Sequence, residues 1–234
     1  MIDSGAGAPG GRRRAGRSKP ALTRQAIVAV ALDLVDRAGV DAVTMRSVAD
    51  ALGTGPASIY RHVSGKDELL ELVLDRVLTE VVVPPPDPDD WRESLVALAR
   101  EVRRVLLAHH DIAAVAMSGP PVGDSSARIA EALLAILRPA GFPDDVCAWT
   151  IDRLSLYVTA DALDTARQRV AGQGGPEAVR RRWAQVAQYY HDLPADRFPH
   201  TVALRDALFA AGPVDRFTLG LELILDGLAA RRGG

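Results

Sequence analysis

Apolar residues recur at steps of three and four along most of this 234-residue chain, and no segment keeps the strict alternation of a half-buried strand. A chain patterned this way buries stripes rather than flat faces, which predicts an all-α fold. The sharpest stripe is Ile27, Val30, Ala31, Leu34, Val35 and Ala38. Thr23 stands where an N-cap belongs, Leu22 and Ile27 are spaced for a hydrophobic staple, and Gly39 suits a left-handed C-terminal cap. A shorter helix is expected over Thr44 to Leu52, capped by Thr44 and broken by Gly53, with Val48, Ala49 and Leu52 turned inward. A third, very short one runs from about Pro56 to His62, since proline suits a first helical turn. Ser64 opens a fourth, with Asp67 in capping-box position, Glu68 near the positive end, and Leu69, Leu70, Val73, Leu74, Val77 and Leu78 as its stripe. This last run shows no break as far as Val83.

Pro84, Pro85, Pro86 and Pro88 then mark a boundary. Longer helical patterns follow at about 90–109, 124–139, 143–171 and 177–191, with a last pair at about 200–211 and 214–231. At the other end, residues 1–20 are rich in Gly, Ala and Arg and are expected to be disordered when free. Charge is divided unevenly. Residues 1–66 hold 10 Lys/Arg and 5 Asp/Glu, net +5; residues 67–234 hold 18 and 25, net −7; together they make the overall −2. Such asymmetry fits an N-terminal part that meets a polyanion, and a merely basic tail (Arg12, Arg13, Arg14, Arg17, Lys19) fits it as well. No apolar run is long enough for a bilayer, and no apolar core follows the basic stretch as a secretory signal requires, so a soluble cytoplasmic protein without membrane contact is expected. Cys147 is the only cysteine, and no Cys/His cluster has zinc spacing, so neither a disulfide, a metal nor a cofactor is expected.

Two short helices joined by a glycine turn read as a helix-turn-helix. A recognition helix entering a major groove must be thin and polar on its outer side. Residues 44–63 fit this: Ala49 is small where the helices cross, Ile59 and Val63 anchor inward, and Ser58, Arg61 and His62 face out. A three-helix packing unit that touches no DNA has the same pattern. Enzymatic chemistry finds no footing, because no Gly-rich phosphate loop, nucleophile elbow or paired metal ligands are present.

The stretches Val43-Thr44-Met45-Arg46-Ser47-Val48-Ala49-Asp50-Ala51-Leu52-Gly53, Ser58-Ile59-Tyr60-Arg61-His62-Val63 and Lys66-Asp67-Glu68-Leu69-Leu70 resemble the DNA-binding region of the TetR family of transcriptional regulators, over about residues 22–75. The resemblance implies a disordered basic arm (1–20), a helix-turn-helix DNA-binding domain (21–66) and a helical domain for ligand binding and dimerisation (67–234). It implies a homodimeric repressor that binds palindromic operator DNA and is released by a small effector; a regulator without such a ligand is the alternative. By position, Arg46 matches a residue that can reach a guanine edge, or else a phosphate. Thr44, Ser58, Tyr60 and His62 match phosphate-binding positions, and Pro56 and Ala57 match base-contacting positions at the tip of the recognition helix. Arg61 is expected to be exposed, reading bases or phosphate. Lys66 combines an ammonium group with a helix N-terminus, a good phosphate site. Tyr60 as a core aromatic, Thr44 as a cap only and the arm as solvated chain remain open.

The same resemblance points to helices 143–171 and 214–231 as the dimerisation element. Phe217, Leu221, Ile224, Leu225 and Leu228 are spaced to serve core, interface or both. Phe217-x-x-Gly220-Leu221-Glu222-x-Ile224-x-x-Gly227 and Leu107-x-His109-x-Asp111 are similar to segments of the tetracycline repressors. There, Ala116 falls where a histidine holds drug-bound magnesium, and Val82 and Leu98 fall on polar drug contacts. Methyl and isopropyl groups cannot ligate magnesium. An apolar pocket that does not take tetracycline–magnesium is therefore expected, with Leu98, Val102, Ala116, Met117, Trp149, Arg153 and Tyr157 as candidate lining. His109, His110 and Asp111 read as a solvated helix end.

Overall fold

The computed structural model describes residues 22–87, 89–119, 122–171, 176–209 and 216–232. The N-terminal arm lies outside the described residues. Helices are α1 (Arg24–Ala38), α2 (Met45–Ala51), α3 (Pro56–Ile59), α4 (Lys66–Leu78), α5 (Trp91–Ala108), α6 (Ala113–Met117), α7 (Asp124–Leu137), α8 (Asp144–Ala171), α9 (Pro176–His191), α10 (Pro199–Leu208) and α11 (Arg216–Ala229). Among the described residues there is no strand, and the fold is all-α.

Local chemistry sets the first helix as expected. The Thr23 side chain accepts from the Ala26 amide at 3.1 Å, and Ile27, Val28, Ala31 and Val35 form the buried face. Gly39 has positive φ (81°) but an extended ψ (174°), so it opens the 3-10 turn at Val40–Ala42 and is not a left-handed cap. The fourth helix departs from expectation at both ends. Its N-cap is Gly65, with no side-chain cap, so Ser64 and Asp67 make no capping box. Glu68 does the reciprocal work: its carboxylate accepts from the Ser64 amide at 2.6 Å. At the other end α4 stops at Leu78, a turn follows, and the chain is irregular from Val81. The short α6 carries too few residues to show a period, and it was not foreseen.

α1 packs on α4, while α4 also packs on α5, α6 and α7. Leu69, Val73 and Val77 of α4 are fully buried. Each such side chain contributes about 1.5–3 kcal/mol through removal from water. The expected division at residue 66 therefore does not interrupt the packing: buried side chains from Ile27 to Leu228 form one continuous cluster. In the C-terminal part, α5 lies along α8, and α8 along α11. Arg103 of α5 joins all three helices, donating to Asp161 at 2.5 Å while its guanidinium sits 4.6 Å from the centre of the Phe217 ring. Phe217 in turn stacks on Tyr157 of α8. The approach is close enough that a Cβ on Gly220 would lie 2.3 Å from the Tyr157 hydroxyl oxygen, which is the packing reason for glycine inside α11.

Candidate nucleic-acid interface and interior cavity

α2 and α3 are joined at Gly53, whose φ of 61° lies in the left-handed region. The turn is closed by bonds from the Gly53 amide to the Asp50 carbonyl (3.0 Å) and from Thr54 to Ala49 (2.9 Å). Val48, Ala49, Ile59 and Val63 are buried and fix the two helices to α1 and α4. Thr44, Arg46, Pro56, Ala57, Tyr60 and Arg61 are exposed, and Ser58, His62 and Lys66 are half-buried. Thr44 and Ser47 form a capping box, each side chain accepting from the other's amide at 2.9 Å. The Thr44 hydroxyl is thus a cap on an exposed residue. Arg46 leaves the first turn of α2 with only a solvent-facing pair to Asp50 at 3.8 Å, an interaction that opens at little cost. Tyr60 is 54 % exposed, which rules out the core-aromatic reading.

Behind this ridge, Arg24 of α1 bonds the His62 carbonyl (3.0 Å) and the Glu68 carboxylate (2.6 Å). The Ser64 amide, with help from Arg24, holds the Glu68 carboxyl below its ordinary range. This link ties the end of α3 to the start of α4 and sets where Lys66, the first residue of α4, stands.

Between α5, α6, α7 and α8 lies a cavity of about 870 Å³. Leu98 and Val102 of α5 line it, with Ala116 and Met117 of α6 and Leu78 of α4. Three of the candidate lining residues lie elsewhere. Trp149 is 65 % exposed, and Arg153 is exposed and paired with Asp152. Tyr157 donates its hydroxyl to the Phe217 carbonyl at 2.8 Å, on the α11 side of α8. The wall that α8 supplies sits one residue earlier in the helical turn: Ala148, Ile151, Asp152, Ser155 and Thr159. Large aromatic side chains suggested a pocket, yet the wall that α8 supplies is made of aliphatic and short polar side chains. Ser126, Ile129 and Leu133 of α7 were also missed; alanines 127, 130 and 148 were the available signal. Val82, which falls on a polar drug contact of the tetracycline repressors, is exposed here, and its amide donates to Glu101. Among the described residues of the lining, Asp152 is the one ionisable group.

His109 is not a solvated helix end. It is 9 % exposed, with Nδ1 2.9 Å from an Asp36 oxygen and Nε2 3.0 Å from a Glu80 oxygen. On α11, Phe217, Leu221, Leu225 and Leu228 are core of the same chain and Ile224 is half-buried; the outward apolar residues are Leu219 and Leu223.

Two family models match the chain: bacterial regulatory proteins of the tetR family over residues 27–73, and the tetracyclin repressor-like C-terminal domain over residues 83–232. The HTH-type transcriptional repressor DrrR1 of Streptomyces coeruleorubidus is 36 % identical over 234 residues, covering 95 % of this chain and 84 % of that protein. The class A tetracycline repressor from transposon 1721, in Escherichia coli, is 33 % identical, with coverage of 90 % and 92 %. Among solved structures, ActR from Streptomyces coelicolor in complex with actinorhodin superposes with a TM-score of 0.81 at 40 % identity, covering 92 % of this chain and 98 % of that one.

Proposed function

Because the chain belongs to the TetR family of DNA-binding transcriptional regulators, we propose that it is a homodimeric repressor whose ridge at residues 44–66 docks on operator DNA and whose cavity takes the releasing effector. The observation that carries this reading is the joining of an exposed polar ridge to an 870 Å³ cavity by one helix, α4, which begins at Lys66 and reaches the cavity at Leu78. Arg46 reads a base edge; Thr44, Ser58, Tyr60, Arg61, His62 and Lys66 hold phosphates; Pro56 and Ala57 let the duplex come close. The protein performs no chemistry on what it binds, and it works in the cytoplasm; among the described residues no helix is long and apolar enough to cross a membrane.

The second copy docks on α8 and α11. Trp149, Leu219 and Leu223 stand out from these two adjacent helices as exposed apolar groups, which a partner's matching pair would cover. Two recognition helices would then lie about 34–36 Å apart, one groove repeat.

The effector is an organic molecule of considerable size and mostly apolar surface. The cavity volume falls in the range of drug-sized ligand sites. ActR, which is seen with actinorhodin and with (S)-DNPA, supports an organic effector for this chain too. Leu98 and Ala116 offer no ligand to a magnesium-bound tetracycline.

The test is a gel shift on the DNA upstream of the protein's own gene, repeated with actinorhodin as probe. Binding should fall steeply with salt. A true effector should weaken it by about 5- to 150-fold while the dimer persists. Dissociation into monomers on release, or shifts insensitive to salt, would refute the mechanism.

A further inference from the structure

α5 and α6 both line the cavity, and only His109 to Ile112 join them. This connector grips the DNA-binding unit at two points. His109 places its ring nitrogens 2.9 Å from Asp36 on α1 and 3.0 Å from Glu80 just beyond α4. Asp111 accepts from the Val40 amide, after α1, at 2.8 Å. With both carboxyl groups ionised, each ring nitrogen must donate, and only an imidazolium has two N–H groups to give. Between the two gripping residues His110 has a φ of 34°, the one positive value at a non-glycine among the described residues, so the connector is held in a strained shape. Its ring also fills the space beside Gly39, where a Cβ would lie 3.0 Å from it.

We propose that the His109–Asp111 connector is the latch coupling cavity to DNA: protonated His109 and Asp111 hold α1 in the ligand-free, DNA-binding arrangement, and a ligand that displaces α6 releases them. The proposal rests on the effector reading above. It also makes the coupling sensitive to pH. The groups facing His109 are Asp36 from α1 and Glu80 from the end of α4, the latter shared with Arg76 at 3.4 Å. On α5, Arg104 lies in the field of Glu80 and is paired with Glu101; His110 and Asp111 pair with each other at 3.2 Å in the connector itself. Burial opposes the charge on His109, and the two carboxylates outweigh it, leaving the imidazole above its ordinary value of 6.5. A raised value means that the grip is complete below the ordinary pKa and is lost as pH rises through the elevated one.

Two measurements on the full-length protein decide the matter. The first is an NMR titration of the histidine rings without DNA, His109 being assigned by its loss in His109→Gln. A midpoint above 6.5 that drops in Asp36→Asn is the expected result; a midpoint at or below 6.5 in the wild type overturns the latch. The second uses a duplex that the wild type selects from a random-sequence pool. At pH 6 His109→Gln should bind it about 5-fold or more weakly, and the gap should close as pH rises. Equal affinity at every pH, with fold and dimer intact, overturns the proposal. If the wild type retains no duplex at all, it is the regulator reading that fails, and the ring titration still tells whether the clamp is there.

Discussion

At the level of single side chains, Arg46 and Lys66 should fail in different ways. Arg46→Ala should relax the preference for one base pair, worth about 1–3 kcal/mol, seen by comparing a set of singly altered duplexes. Lys66→Ala should weaken all duplexes alike and lower the salt slope by about one. Equal loss on all sequences from Arg46→Ala would remove its reading role. In the cavity, Val102→Phe adds volume to the wall, so uptake of actinorhodin or any other effector should fall by tenfold or more, measured by fluorescence, while duplex binding holds. The geometry of the helix-turn-helix was readable from the sequence because its residues are ordered by local spacing: a cap at Thr44, a turn at Gly53, anchors at Ile59 and Val63. The lining on α8 was not. Which of two adjacent helical faces meets the cavity depends on the rotation of a 28-residue helix with apolar or aromatic groups on several sides, and the period alone does not set it. His109 escaped for a related reason. Its partners Asp36 and Glu80 are 73 and 29 residues away, and no local pattern brings them together.

At the level of elements, α3 is only four residues long and cannot hold itself by backbone bonds. It is held by Ile59, fully buried. Ile59→Ala should therefore cost about 2–5 kcal/mol in urea unfolding, and DNA binding should be lost before the far-ultraviolet helix signal falls much. A cost under 1 kcal/mol would mean that the recognition helix is fixed by something else. The pairing of α8 with α11 is likewise anchored by few groups: the Tyr157–Phe217 stack, the close pass at Gly220 and Arg103 over the ring. The sequence pattern placed both helices correctly, but it assigned their apolar stripe to core and interface jointly. Phe217, Leu221, Leu225 and Leu228 turn inward, while Leu219 and Leu223 turn outward.

At the level of the whole molecule, the outward pair bears on assembly. Leu223 is 66 % exposed in the single chain and would become core under a second chain, as the proposed dimer requires. Leu223→Glu should thus yield a folded monomer by light scattering, with operator affinity lowered by orders of magnitude because one half-site is bound alone. A persistent dimer would move the interface elsewhere. Since the buried cluster runs without a gap from Ile27 to Leu228, the hydrophobic interior of the DNA-reading end is not separate from that of the rest. Cut away after residue 66, it would lose the helix that roofs α1 and should not stay folded. Heated intact, the protein should melt in a single calorimetric transition. Any compound that tightens the far cavity should then shelter the reading head from heat by the same number of degrees, even while prising it off its DNA.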